Sequence, residues 1–285
     1  MILKKILLVV SVLLFFIPFF AMAKNISNTQ KPEKPFKILL IPGHDNEVWG
    51  AEYGNRKEAD MNLVLATKIY NILKEDKRFK VFITRDGNGY TKDFSDYFSA
   101  YKEDIISFEK NAKEKMVGNI TDGNFVRKKN APHHRVSSNI ALRLYGFNKW
   151  ANENNIDAMV HIHFNDYPRA NNWVIGKYKG FVMYIPDQQL SNYKGSESLA
   201  KKIFMELHKK YPISNFLPEK KGIVTDQQLI AIGANGTLDA SVRSVLIEYG
   251  YIYEKIFRNN KTRSQFYKDA ANLTVKGLEN YFFGK

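Results

Sequence analysis

The stretch Phe36-Lys37-Ile38-Leu39-Leu40-Ile41-Pro42-Gly43-His44 is a short, almost wholly apolar run closed by a Pro-Gly turn. That is the pattern of a strand buried on both faces. Downstream, Ala59, Leu63, Ala66, Ile69, Tyr70 and Leu73 recur at helical spacing and predict a helix over residues 57–74. Residues 80–84 then predict a second strand. Further strands are expected at 158–164, 180–185 and 244–248, with helices near 137–152, 194–209 and 262–281. This alternation predicts a single α/β domain with a largely parallel or mixed twisted sheet and helices on both faces. In such folds ligands collect at the carboxyl ends of strands.

Upstream of the first strand, Lys4 and Lys5 precede an apolar run to Phe20, and Ala21-Met22-Ala23 follows. This is the layout of a secretory signal over residues 1–23, cut after Ala23. The run is short for a membrane span and Pro18 interrupts it, so no stable transmembrane anchor is expected after cleavage. Residues 24–35 are polar, include Pro32 and Pro35, and read as a linker. The remaining segment, 36–285, is long enough for one sizeable core. No cysteine is present, which excludes disulfide staples and a lipid-modified cysteine at this signal.

The formal charge of +14 favours an anionic partner. An export signal and the lack of a nucleic-acid motif argue against nucleic acid and for an anionic cell envelope. A lysine-rich solvated surface would give the same charge. There is no Gly-x-Ser-x-Gly elbow, phosphate-binding glycine loop or His-Glu-x-x-His helix, so serine hydrolase, P-loop and zincin chemistries fall away.

Several residues can carry chemistry. His44 stands just past the carboxyl end of the first strand, and Glu58 lies where a helix start favours a carboxylate. In Met159-Val160-His161-Ile162-His163-Phe164-Asn165, strand periodicity puts His161, His163 and Asn165 on one face and the apolar residues on the other. Buried polar groups need partners, and a metal supplies one. Glu248 ends the run Val245-Leu246-Ile247, where it can exchange a proton or, more plainly, pair with Arg243. His133 and His134 read as solvated loop. Tyr249, Tyr251 and Tyr253 alternate, fitting either a groove lining or a half-buried strand.

These segments resemble the zinc-dependent N-acetylmuramoyl-L-alanine amidases, the type 3 cell-wall amidases, over nearly the whole chain from Phe36 onward. The resemblance rests on Ile41-Pro42-Gly43-His44, on Gly50-Ala51-Glu52-Tyr53-Gly54 with Lys57-Glu58-Ala59-Asp60-Met61-Asn62-Leu63, on His161-Ile162-His163-Phe164-Asn165 and on Glu248-Tyr249-Gly250-Tyr251, in that order. It implies that His44, Glu58 and His163 hold Zn2+, that Glu248 is the catalytic carboxylate, and that the substrate is peptidoglycan, cleaved between N-acetylmuramic acid and L-alanine in the periplasm or outside the cell. The chain departs from the family at Ile41, where an aspartate is usual, and at Asp45 and Asn46, which replace glycines. His161 replaces a serine and shares a face with His163, so either is a possible ligand. His163 is favoured, with His161 and Asn165 as supporting neighbours. Another zinc amidohydrolase, such as a peptidase or sugar deacetylase, would use the same groups, and a non-catalytic wall-binding relative would not need them all.

Residues 86–134 form a long insertion. Phe94, Tyr97, Phe98, Tyr101, Ile105 and Phe108 predict one amphipathic helix over about 93–115. That helix either extends the core or walls the site as a lid, with Glu103, Glu109 or Glu114 as a candidate plug for the metal.

Overall fold

The computed structural model describes residues 34–128 and 136–284. The signal segment, most of the 24–35 linker, His133 and His134 lie outside the described residues.

The first half of the chain runs β1 (Phe36–Pro42), a hairpin of β2 (Glu52–Tyr53) and β3 (Arg56–Lys57), α1 (Glu58–Leu73), β4 (Phe79–Ile83) and a hairpin of β5 (Arg85–Asp86) and β6 (Gly89–Tyr90). Then come α2 (Lys92–Ala100), α3 (Lys102–Thr121), α4 (Ser138–Glu153) and β7 (Ala158–Asn165). The second half holds β8 (Val182–Pro186), α5 (Tyr193–His208), β9 (Ile223–Asp226), β10 (Arg243–Tyr251), α6 (Lys255–Arg258) and α7 (Asn260–Phe282). Six strands make one sheet in the order β4-β1-β7-β10-β8-β9. Every neighbouring pair is parallel except β10 with β8, so the sheet is mixed, as the alternation of elements predicts.

The strands' period of two divides the core. Ile38, Leu40, Val160, Ile162, Val245 and Ile247 face α1, α5 and α7, while Leu39, Ile41 and Met159 face α2, α3 and α4. On α1, Leu65, Ile69 and Leu73 are wholly buried at helical spacing. Each such side chain stabilises the fold by about 1.5–3 kcal/mol relative to exposure. This helix is therefore fixed by its tertiary face, and so is the direction in which its first residue, Glu58, points.

The insertion forms two helices, with the break at Tyr101. Phe94, Tyr97 and Ile105 bury themselves against Ala141, Tyr145, Phe147 and Trp150 of α4, while Tyr101 stays exposed. Glu109 pairs with Lys113 and Glu114 with Lys110 along α3. Neither they nor Glu103 line the cavity beside His44. β9 escapes the sequence reading because it is a four-residue edge strand whose first three positions are not buried, leaving no apolar run to detect.

Candidate metal centre

The central strands β1, β7 and β10 end side by side, and their register assembles the site. His161 lies between Ile41 and Leu246, and His163 lies beside Glu248. The Gly43 N–H continues the pattern by donating to the Ile162 carbonyl at 2.9 Å. A Cβ on Gly43 would fall 2.1 Å from the His163 ring, so only glycine lets the chain pass so close.

His44 follows with φ of 60°, the left-handed region that a non-glycine residue seldom adopts. Side-chain clamps hold this turn. The Gly43 carbonyl accepts from Asn62 at 2.9 Å and from the buried Arg85 at 3.1 Å, and Arg85 also donates to the Pro42 and Ala59 carbonyls. On the other side, Asp45 accepts from the Glu47 and Val48 N–H groups at 2.9 Å, from the Tyr90 hydroxyl at 2.9 Å and from Arg143. Asp45 thus replaces the glycine freedom usual in the resembled family with a clamp reaching α4 and the insertion's first hairpin.

The turn directs His44 at Glu58, with Nε2 and Oε2 3.1 Å apart, while His163 Nδ1 stands 3.0 Å from Glu58 Oε1. One donor atom from each of the three residues falls within 4.8 Å of the others, a spacing that suits a single metal ion. Glu58 is buried and further oriented by N–H groups of Ala51 at 2.9 Å and Phe164 at 3.2 Å. Two imidazoles and one carboxylate are a donor set that fits zinc, with a fourth position left for water.

Electrostatics sharpen the assignment. Burial alone would raise the Glu58 carboxyl and lower both imidazoles. The facing histidines reverse the first effect and hold Glu58 well below the usual carboxylate range. Glu58 in turn raises His44, whereas burial still outweighs it at His163, which stays lowered and so readily neutral for coordination.

His161 is buried at 1 % exposure behind the site, and burial, aided by His163, pushes it down to about 3. Neither of its ring nitrogens reaches a partner at good hydrogen-bonding geometry, although the nearby Ala231 backbone works against the lowering. His161 does not join the cluster of possible ligands.

Glu248 faces the cavity with Oε2 unpartnered. Burial, followed by the charges of Glu58 and Glu219, raises its carboxyl well above the usual range. Arg243 does not pair with it, lying instead near Asp157 and donating to the Tyr281 hydroxyl. Past Glu248 the register slips at Gly250, so that Tyr251 and not Gly250 pairs with Asn165. Such a bulge re-aims a side chain, and here it turns Tyr251 into the cavity. Tyr249 and Tyr253 remain in the core.

The cavity has a volume of about 650 Å³ and contains His44, Glu58, His163, Asn165 and Glu248. Sequence reasoning missed a further carboxylate that lines it, Glu219. This buried group accepts from Asn165 and Tyr184 at 2.9 Å and from Tyr251 at 2.7 Å, and Ser214 also donates to it. No local pattern marks Glu219, since its partners come from four separate segments. Arg85 and Asn62 were missed for the same reason.

Because Asp45 secures a strained turn, Asp45→Ala should weaken metal binding by roughly 5- to 30-fold, the equivalent of the ~1–2 kcal/mol that the left-handed conformation costs. Competition with a chromogenic chelator reads this directly. Unchanged affinity would mean that the turn keeps its shape without Asp45.

A sequence profile of the family described as N-acetylmuramoyl-L-alanine amidase matches residues 38–280. No curated protein matches the chain. Among solved structures, an N-acetylmuramoyl-L-alanine amidase from Clostridium difficile 630 is similar at 19% identity and a TM-score of 0.53, covering 88% of this chain and 99% of its own. The CwlD amidase of Clostridioides difficile, solved with the GerS lipoprotein, gives 16% and 0.54, covering 88% and 100%. The catalytic domain of CwlV, from Bacillus (Paenibacillus) polymyxa, gives 16% and 0.53, covering 88% and 99%. At such identities the likeness is one of fold.

Proposed function

The chain belongs to the N-acetylmuramoyl-L-alanine amidase family, acting on peptidoglycan, and from that premise we propose that it works with a zinc ion held by His44, Glu58 and His163, with Glu248 as its catalytic carboxylate. The observation that carries this reading is the convergence of three metal-competent side chains beside a cavity-facing carboxylate with an unpartnered oxygen.

When bound, zinc lowers the pKa of a coordinated water to about 7 and polarises a substrate carbonyl. The rest of the work falls to side chains. Glu58, oriented by the Ala51 and Phe164 N–H groups, brings one negative charge between two neutral imidazoles. Glu248 accepts the proton of the attacking water and returns it to the departing amine of L-alanine, a cycle favoured by a carboxyl whose pKa lies above the ordinary range. Asn165, Tyr184 and Tyr251 converge on Glu219 and form a fixed polar wall of the cavity. His161 supports β7 behind the ligand.

We place the protein outside the cytoplasm, in the periplasm or at the wall, where the family's substrate lies. The charge of +14 suits an anionic envelope. No helix among the described residues is long and apolar enough to cross a membrane.

Incubation of the full chain with intact peptidoglycan should release free stem peptides that begin with L-alanine. A strong chelator should abolish this, and added zinc should restore it. Release of sugar reducing ends or single D-amino acids instead, or full activity under chelation, would overturn the reading.

A further inference from the structure

Exposed apolar side chains flank the segments that line the cavity. Leu217, set between the cavity-lining Phe216 and Pro218, is 75% exposed. Trp173 is 65% exposed and Trp49, next to the cavity-lining Gly50, is 43% exposed, so that of the chain's three tryptophans only Trp150 is buried. Exposed apolar groups gathered in this way mark contact surfaces.

Both exposed rings sit on the β2–β3 hairpin, which leads directly into Glu58. Trp49 lies over the Lys57 ammonium, 3.3 Å from the ring centroid. Trp173 packs on Gly54, where a Cβ would fall 2.9 Å from the indole. Their loops are tied down. The Trp49 indole N–H donates to the Asn46 carbonyl at 2.9 Å, and the Gly54 N–H donates to the Asn172 carbonyl at 2.9 Å. Arg169 bridges the loop to the hairpin by donating to the carbonyls of Val174 and Glu52. The rings are therefore held in place before anything binds, which lowers the entropic cost of contact.

We propose that Trp49 and Trp173 form a stacking platform for pyranose rings of the glycan strand that flanks the scissile amide. The inference rests on the amidase reading. Peptidoglycan is a polymer, and a cavity of about 650 Å³ cannot enclose its repeating units, so flanking units must cross the rim. A pyranose presents an apolar C–H face, which an indole face covers, and hydroxyls at its edge, which stay in water. The stem peptide carries carboxylates and would call for exposed cations at this rim. The ammonium of Lys57 is instead engaged beneath Trp49, and that of Lys177 lies against the rings of Tyr167 and Tyr178.

The test uses the full chain with Trp49→Ala, Trp173→Ala and the double substitution. On intact peptidoglycan the double variant should raise KM about tenfold, while kcat/KM on a single N-acetylmuramoyl-peptide stays at the wild-type value. Zinc content equal to wild type shows that the loop beside Gly50 is intact. Tryptophan emission supplies a readout free of catalysis: a peptide-free N-acetylglucosamine oligomer should give a saturable change in the wild type, and the double variant, retaining Trp150, should give none. Equal losses on polymer and monomer, a response to free stem peptide but not to the oligomer, or rim-dependent self-association in sedimentation would each overturn the platform. Failure of the wild type to release stem peptides would instead overturn the amidase reading, and the oligomer titration remains readable in that event.

Discussion

Glu248→Gln should keep the fold and the metal yet lose turnover by roughly 100-fold or more, the usual contribution of general acid–base catalysis. The amide preserves shape while removing a base that works at neutral pH. The substitution also predicts a stability change in metal-free protein. The Glu248 carboxyl is raised by burial and by Glu58 and Glu219, so the folded state holds its proton more tightly than the unfolded chain does. Its contribution is then present below the ordinary carboxylate range and is lost as pH rises through the raised folded value. Metal-free Glu248→Gln should therefore melt higher than metal-free wild type at neutral pH and similarly at pH about 4. Peptide release and thermal melts across pH check both parts. Near wild-type hydrolysis would remove Glu248 from the mechanism, and identical melting curves would mean that the carboxylate finds solvent.

The second large effect concerns the ligands. His44→Ala and His163→Ala should each lose stoichiometric zinc and activity together, because two remaining donors no longer fix the ion against water. His161→Ala should retain zinc, since His161 lies outside the cluster formed by His44, Glu58 and His163. It should lose stability by about 1–3 kcal/mol, from the cavity left in a buried position. Metal analysis after dialysis, with a denaturant melt, separates the two classes. Zinc kept by His44→Ala and lost by His161→Ala would reverse the ligand assignment.

Much of this arrangement was legible in the chain itself. An apolar run such as Ile38-Leu39-Leu40-Ile41 can be satisfied only by burial on both faces, and the spacing of Ala59, Ala66, Ile69 and Leu73 allows only one inward face, to which the structure adds Leu65. A period of two likewise puts His161 and His163 on one face of their strand. Such patterns are local, so sequence determines them, and with them the α/β class and the strand ends where chemistry belongs.

Tertiary structure decided what local period cannot carry. His161 and His163 are equivalent by alternation, and only depth along β7 separates a buried imidazole from one that meets Glu58. The partner of Glu248 was open between a proton and Arg243 until the fold carried Arg243 to Asp157. Asp45, Tyr90 and Arg143 meet across nearly a hundred residues, and Glu219 gathers donors from four segments. Each of those contacts depends on register, on a bulge at Gly250 or on a left-handed turn at His44. Hydrogen bonds act over about 3 Å, so two groups distant in sequence become partners only when the packed core has fixed where both of them stand.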